Sequence, residues 1–256
     1  MNRAYQVLLA LTASITFFLA LETITPIIFT NGNASVALII VSTELKNISQ
    51  TDINYVKKEA GKALKYIPPI LGIEYNDIIE IKIVDRGMVC NATGGIVSLL
   101  ISHIRDKSAP IIHEVTHVIT SHENNSFLNE GLAVYFQERF GDNQTFPNYS
   151  VPFNVLMRRN KDQFIPITRL INDNEIFSQV DTEQRKMAYL TAGSFINFLV
   201  EQYGEKKLAE LNNSKTLSYK KVYGKDINQL EREGKNHVFK ENTQDESHIY
   251  KTNQSS

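Results

Sequence analysis

A single cysteine in 256 residues, Cys90, excludes any internal disulfide and leaves histidine and carboxylate side chains as the ligands of any metal site. Cys90 itself reads as a small buried residue rather than a nucleophile. Charge of one sign is also missing: 27 Lys and Arg stand against 28 Asp and Glu, for a net charge of -1. A broad nucleic-acid-binding surface needs a cationic excess, so no nucleic-acid partner is expected. No internal repeat is present, and the length suits one globular domain plus a targeting segment, or two small subdomains sharing a cleft.

The one long hydrophobic stretch is at the start. A short head carrying Arg3 leads into the apolar run Val7 to Leu21, then Glu22, then a second run from Ile24 to Phe29. The first run has the length of a signal-peptide core, and the two together are long enough to span a bilayer. Residues 1–30 are therefore expected to be a signal peptide or an N-terminal membrane anchor, with Gly32-Asn33-Ala34 resembling a cleavage site. Arg3 would hold the N-terminus inside and place the rest outside the cytoplasm. Eight Asn-x-Ser/Thr sequons, at Asn33, Asn47, Asn91, Asn124, Asn143, Asn148, Asn212 and Asn253, fit an exported glycoprotein; about three would arise by chance.

Residues 36–42 form a β-branched run that reads as a buried strand. Thr51 or Asp52 then caps a helix with Ile53, Val56, Ala60, Ala63, Leu64 and Ile67 on one face, stopped at Pro68-Pro69. Residues 78–85 alternate at period two, as a half-buried strand does. After a loop around Asn91 and Gly94-Gly95, residues 96–101 give another strand. Helices are expected at 109–121, 126–140, 182–203 and about 226–239, with a polar, disordered tail from 241. A small mixed sheet followed by a helical half makes the fold class α+β. The folded domain is placed at residues 31–240.

The decisive stretch is His113-Glu114-Val115-Thr116-His117, on a helix starting near Pro110. Side chains four apart share a helix face, so both imidazoles can reach one ion. Glu114 is rotated about 100° from His113, outside the ligand shell but able to take a proton from an activated water. Ile111, Ile112, Val115, Val118 and Ile119 wrap the motif in apolar residues, which a pair of surface histidines would not need. Buried histidines call for a third partner. Glu130, in Phe127-Leu128-Asn129-Glu130-Gly131-Leu132-Ala133, comes level with His117 if the next helix runs back antiparallel, since each leg advances about 6 Å. His113, His117 and Glu130 with water form a catalytic zinc set. The rival third ligand is a histidine six residues after His117, but that position is Glu123, and His122 is out of register by one.

HEVTH followed by FLNEGLA resembles the gluzincin metallopeptidases, the second segment being similar to the WLNEGLA-type sequence of their aminopeptidase-like members, and the strand–helix–strand–strand prelude is similar to the peptidase MA-like family. The stretch from Tyr189 to Leu199 resembles the later helix on which those enzymes carry a tyrosine that stabilises the transition state. The resemblance spans roughly residues 36–240. It implies a zincin-like fold with the active-site helix between sheet and helical half, a peptide or protein substrate, Zn2+ as cofactor, Glu114 as the general base and Tyr189 as the oxyanion-stabilising residue. The Gly-x-Met-Glu-Asn motif is missing, and the strand 96–101 has no Glu to hold a free amino terminus. Endopeptidase action is therefore expected, with an extended peptide pairing along that strand. The alternative is a catalytically silent surface glycoprotein that binds through the same fold. Membrane association would come only through an uncleaved N-terminal segment, and nothing in the sequence addresses oligomeric state.

Overall fold

The computed structural model describes residues 25–31, 35–86, 90–120, 125–141, 144–178, 182–214 and 216–240. The first apolar run, Gly32-Asn33-Ala34, His122, Glu123 and the polar tail lie outside them.

Five strands, β1 (Thr25–Asn31), β2 (Ser35–Thr43), β3 (Ile78–Val84), β4 (Asn91–Thr93) and β5 (Ile96–Leu100), form one sheet in the order β1-β2-β3-β5-β4. β2, β3 and β5 are parallel, while β1 and β4 run antiparallel at the two edges. β3 follows its alternation: Ile79, Ile81 and Ile83 are buried. Two strands were not legible in the sequence. β1 takes in most of the second apolar run, so that run is a strand of the sheet here. β4 occupies the expected loop around Asn91, turned into β5 at Gly94 and Gly95, which have φ of 58° and 81° and suit that tight reversal. β5 is consequently an interior strand, and the edge open to an extended peptide belongs to β4.

Between β2 and β3 runs α1 (Gln50–Leu71), which packs on the sheet through the expected face, including Ile53, Val56, Ala60, Ala63, Leu64 and Ile67. Its N-cap is Ser49, and Asp52 sits at the third helical position, closing a capping box at 3.1 Å in both directions. The helix also runs through Pro68 and Pro69 to Leu71 before Gly72 ends it with φ 62°. Both prolines lie in the last turn, where their φ is helical and only two donors are lost. Fully buried Ile67 and Leu71 hold that turn against the core.

The remaining helices are α2 (Ile101–Arg105), α3 (Ile111–Thr120), α4 (Ser126–Phe140), α5 (Phe153–Arg159), α6 (Ile167–Asn172), α7 (Thr182–Tyr203), α8 (Glu205–Asn212), α9 (Tyr219–Tyr223) and α10 (Ile227–Lys240). The fold is α+β, with α3 lying between the sheet and the helical half. The short helices α2, α5, α6, α8 and α9 have at most eight residues, too few for a helical periodicity to declare itself. Among the described residues no helix is long and apolar enough to cross a membrane.

The sequons divide by burial. Asn47 and Asn91 are exposed, whereas Asn148 and Asn212 are buried. Asn148 Nδ2, the atom a glycan would occupy, donates to Glu138 Oε2 at 2.7 Å. A glycan at Asn148 is incompatible with this fold, so the sequon count overstates the sites available.

Candidate metal centre

The centre is built by two antiparallel legs. α3 is almost wholly buried: Ile111, Ile112, Val115 and Ile119 are at most 5% exposed. The free N–H groups of its first turn need partners; the His113 N–H finds one in Gln137 Oε1 of α4, at 3.1 Å. At the other end Thr120 Oγ1 donates to Asn129 Oδ1 at 3.3 Å, and Asn125 caps α4 by accepting from Leu128 N at 2.8 Å. Thus α4 is tied to α3 near both ends of the motif, and Glu130 is carried beside His117.

His113, His117 and Glu130 converge. The two Nε2 atoms are 3.1 Å apart, and Glu130 Oε2 lies 3.2 Å from His113 Nε2 and 3.4 Å from His117 Nε2. A tetrahedral ion with bonds of about 2.0–2.2 Å holds its ligand atoms about 3.3–3.6 Å apart, so the triangle is close to one face of such a tetrahedron. Glu130 Oε2 is buried and makes no hydrogen bond despite both nearby nitrogens. Three potential ligand atoms at these spacings, with the buried carboxylate oxygen left unsatisfied, are suited to a shared cation. Among the described residues this is the one such cluster.

The electrostatics are those of one buried carboxylate between two imidazoles. Burial works against the charge on Glu130, but His117 and His113 outweigh it and hold the carboxyl well below the usual range. Burial likewise disfavours the His117 cation, and Glu130 beside it pushes its pKa up instead. His113 goes the other way, lowered by burial with His117 and Arg185 adding to the effect. Glu114, one step round the helix and 6% exposed, is raised by burial and by Glu130 to about 8. A carboxyl near neutrality is suited to both accepting and returning a proton.

Tyr189 reaches the centre from α7 because α4 and α7 cross at very short range. A Cβ on Gly193 would meet Val134 Cγ1 at 2.4 Å, and one on Gly131 would meet Ile196 Cγ1 at 2.9 Å. Only glycine admits that approach. The Tyr189 ring then lies parallel to His113, 5.9 Å between centroids and 10° between planes. Its hydroxyl accepts from Arg185 Nη2 at 3.2 Å and donates to the Phe177 carbonyl at 3.5 Å. Burial, with Glu130 and Glu114, raises the Tyr189 pKa, so the phenol stays protonated.

Solved structures share this architecture. Legionella pneumophila aminopeptidase A in complex with aspartic acid matches with a TM-score of 0.54 at 11% identity, over 82% of this chain and 27% of that one. The M1 zinc metallopeptidase from Deinococcus radiodurans matches with a TM-score of 0.51 at 11% identity, over 82% and 51%. The fold is zincin-like. The chain spans about a quarter and about half of the length of these two proteins. No protein-family model and no curated protein matches it.

Sequence reasoning missed Gln137, Phe146 and Arg185. Phe146 packs edge-on to Tyr189 at 5.2 Å. Arg185 stands four residues before Tyr189, on the same helix face, and that spacing was a usable signal. Cys90 is buried at the head of β4, with Sγ 3.6 Å from His103 Nδ1, and burial raises its thiol pKa, as expected of a packing residue.

Proposed function

We propose that this chain is a zinc metallopeptidase that hydrolyses peptide bonds outside the cytoplasm, as an endopeptidase. The observation that carries the reading is the triangle of His113, His117 and Glu130 with a buried Glu114 on the next helical position. His113, His117 and Glu130 would hold the ion. A bound zinc supplies a Lewis acid that polarises the scissile carbonyl and makes water acidic enough to attack near neutral pH. Glu114 takes the proton of the attacking water and returns it to the leaving amine. Tyr189 offers its hydroxyl proton to the developing oxyanion, exchanging the long 3.5 Å contact to Phe177 for a shorter one to substrate.

Substrate alignment follows from the sheet. β4 lies beside α3 and is the edge strand on that side. An extended peptide adding to β4 would run past the site with its main chain hydrogen-bonded and its side chains free to vary. The apolar run from Val7 to Leu21, with the length of a signal-peptide core, supports an extracytoplasmic location.

The test is a digest of a peptide library by the zinc-loaded chain, with products mapped by mass spectrometry. Internal cleavage that stops in Glu114→Gln supports the reading. Zinc binding without any cleavage would point to the silent binding protein instead.

A further inference from the structure

We infer that Arg185 is a substrate-recognition residue, which binds a carboxylate on the peptide close to the scissile bond. The inference rests on the proposed peptide hydrolysis and adds the chemical class of substrate that the site prefers.

Among the described residues no carboxylate comes within ion-pair distance of Arg185; Glu130 and Glu114 act on it only from further off. Its Nε is buried with no hydrogen-bond partner among those residues. Its one hydrogen bond among them is from Nη2 to the Tyr189 hydroxyl at 3.2 Å, so most of a five-donor fork is unused. The guanidinium is held in place by aromatic rings: its carbon lies 5.2 Å from the Tyr189 ring centre and 5.7 Å from that of Phe146. Stacking of this kind fixes an arginine plane and leaves its edge free to meet a planar anion. A buried donor left unpaired is costly. A protein that keeps one beside its metal centre is suited to a partner arriving with the ligand.

The position also fits. Ring separations of 5.2 Å to Tyr189 and 5.9 Å from Tyr189 to His113 put the guanidinium no further than about 11 Å from the His113 imidazole. An extended peptide advances about 3.3–3.6 Å per residue, so a group held there lies within about three residues of the bond being cut. Carboxylate is the anion a peptide offers, and its two oxygens match the guanidinium fork. That carboxylate is either the C-terminus of the peptide or an Asp or Glu side chain. The first would make the enzyme trim short C-terminal fragments; the second would make it select acidic sequences internally.

The experiment uses the full chain, zinc-loaded, in the Glu114→Gln form for binding and the native form for cleavage. The probes are one pentapeptide as free acid and as C-terminal amide, and a matched set with Glu or Gln at successive positions. Calorimetry should show one carboxylate form binding at least about tenfold tighter than its neutral counterpart, consistent with a charge-assisted pair. Arg185→Gln should erase that preference, so that charged and neutral peptides bind alike, and Arg185→Lys should keep part of it. Preference for the free acid identifies the terminus, and preference for Glu at one position identifies a side chain. Neutral and anionic probes binding equally, or discrimination that survives Arg185→Gln, would overturn the assignment while leaving the peptidase reading intact. If no probe binds and none is cleaved, both fall. Unchanged thermal unfolding of Arg185→Gln separates loss of recognition from loss of fold.

Discussion

The Tyr189 ring lies parallel to that of His113, with 5.9 Å between centroids and 10° between planes. Among the described residues neither His113 nor His117 has a hydrogen-bond partner on its Nδ1, so the outer hydrogen bond that usually fixes a metal-binding histidine is missing and the Tyr189 ring is the neighbour that flanks His113. Ring and hydroxyl therefore have separable roles. Tyr189→Phe should keep zinc affinity and thermal stability yet lose about 10²–10³ in kcat. Tyr189→Ala should in addition weaken zinc binding about tenfold or more. Competition for zinc with a chromogenic chelator, beside peptide-cleavage rates, reads both. Full activity in Tyr189→Phe would remove the hydroxyl from the mechanism.

Glu114 stands outside the triangle of His113, His117 and Glu130 and is coupled electrostatically to His117 and Glu130. Glu114→Gln should retain zinc at native stoichiometry while turnover falls by about 10²–10⁴. Glu130→Gln should do the reverse in order, weakening zinc first. Metal analysis of the two purified variants, set beside their cleavage rates, distinguishes base from ligand. Loss of zinc in Glu114→Gln would exchange the roles.

Gly193 exists to let α7 approach α4. Gly193→Ala drives a methyl to 2.4 Å from Val134 Cγ1, and overpacking of this kind costs about 1–3 kcal/mol. The unfolding midpoint should fall, and Val134→Ala in the same chain should restore much of it, since the two sites share one contact. Additive losses in the double variant would show that the crossing is not set by this pair.

Glu138 offers a stability test away from the metal. Its Oε2 accepts from Asn148 Nδ2 and from Phe153 N at 2.8 Å. Burial still raises its pKa to about 7, against those two hydrogen bonds. A carboxyl whose folded pKa is raised binds more protons when native, so its contribution is full below its ordinary pKa and is lost as pH rises to about 7. Native protein should therefore lose thermal stability relative to Glu138→Gln between pH 5 and 8. A difference in midpoint that does not change with pH would show that Glu138 is ionised throughout.

The sequence was most informative where pattern and chemistry coincided. α4 and α7 occupy the expected 126–140 and 182–203, because long amphipathic or buried helices advertise both period and caps. That Glu130 comes beside His113 and His117 was legible because two legs of known rise per residue must return to the same level. Three-residue β4 was not legible, since a strand that short shows no alternation. Its absence misplaced the sheet edge onto β5. Arg185 escaped because an arginine near a helix start looks like any solvated residue until the tyrosine ring beneath it is seen.

Zinc content tests the central claim most directly. Inductively coupled plasma mass spectrometry on the purified native chain, after dialysis against a weak chelator, should give close to one zinc per chain. His113→Ala and His117→Ala should each fall close to zero at the same protein concentration, with circular dichroism showing the fold retained. Full zinc occupancy in His113→Ala, or none in the native chain after incubation with zinc, would contradict the centre described here.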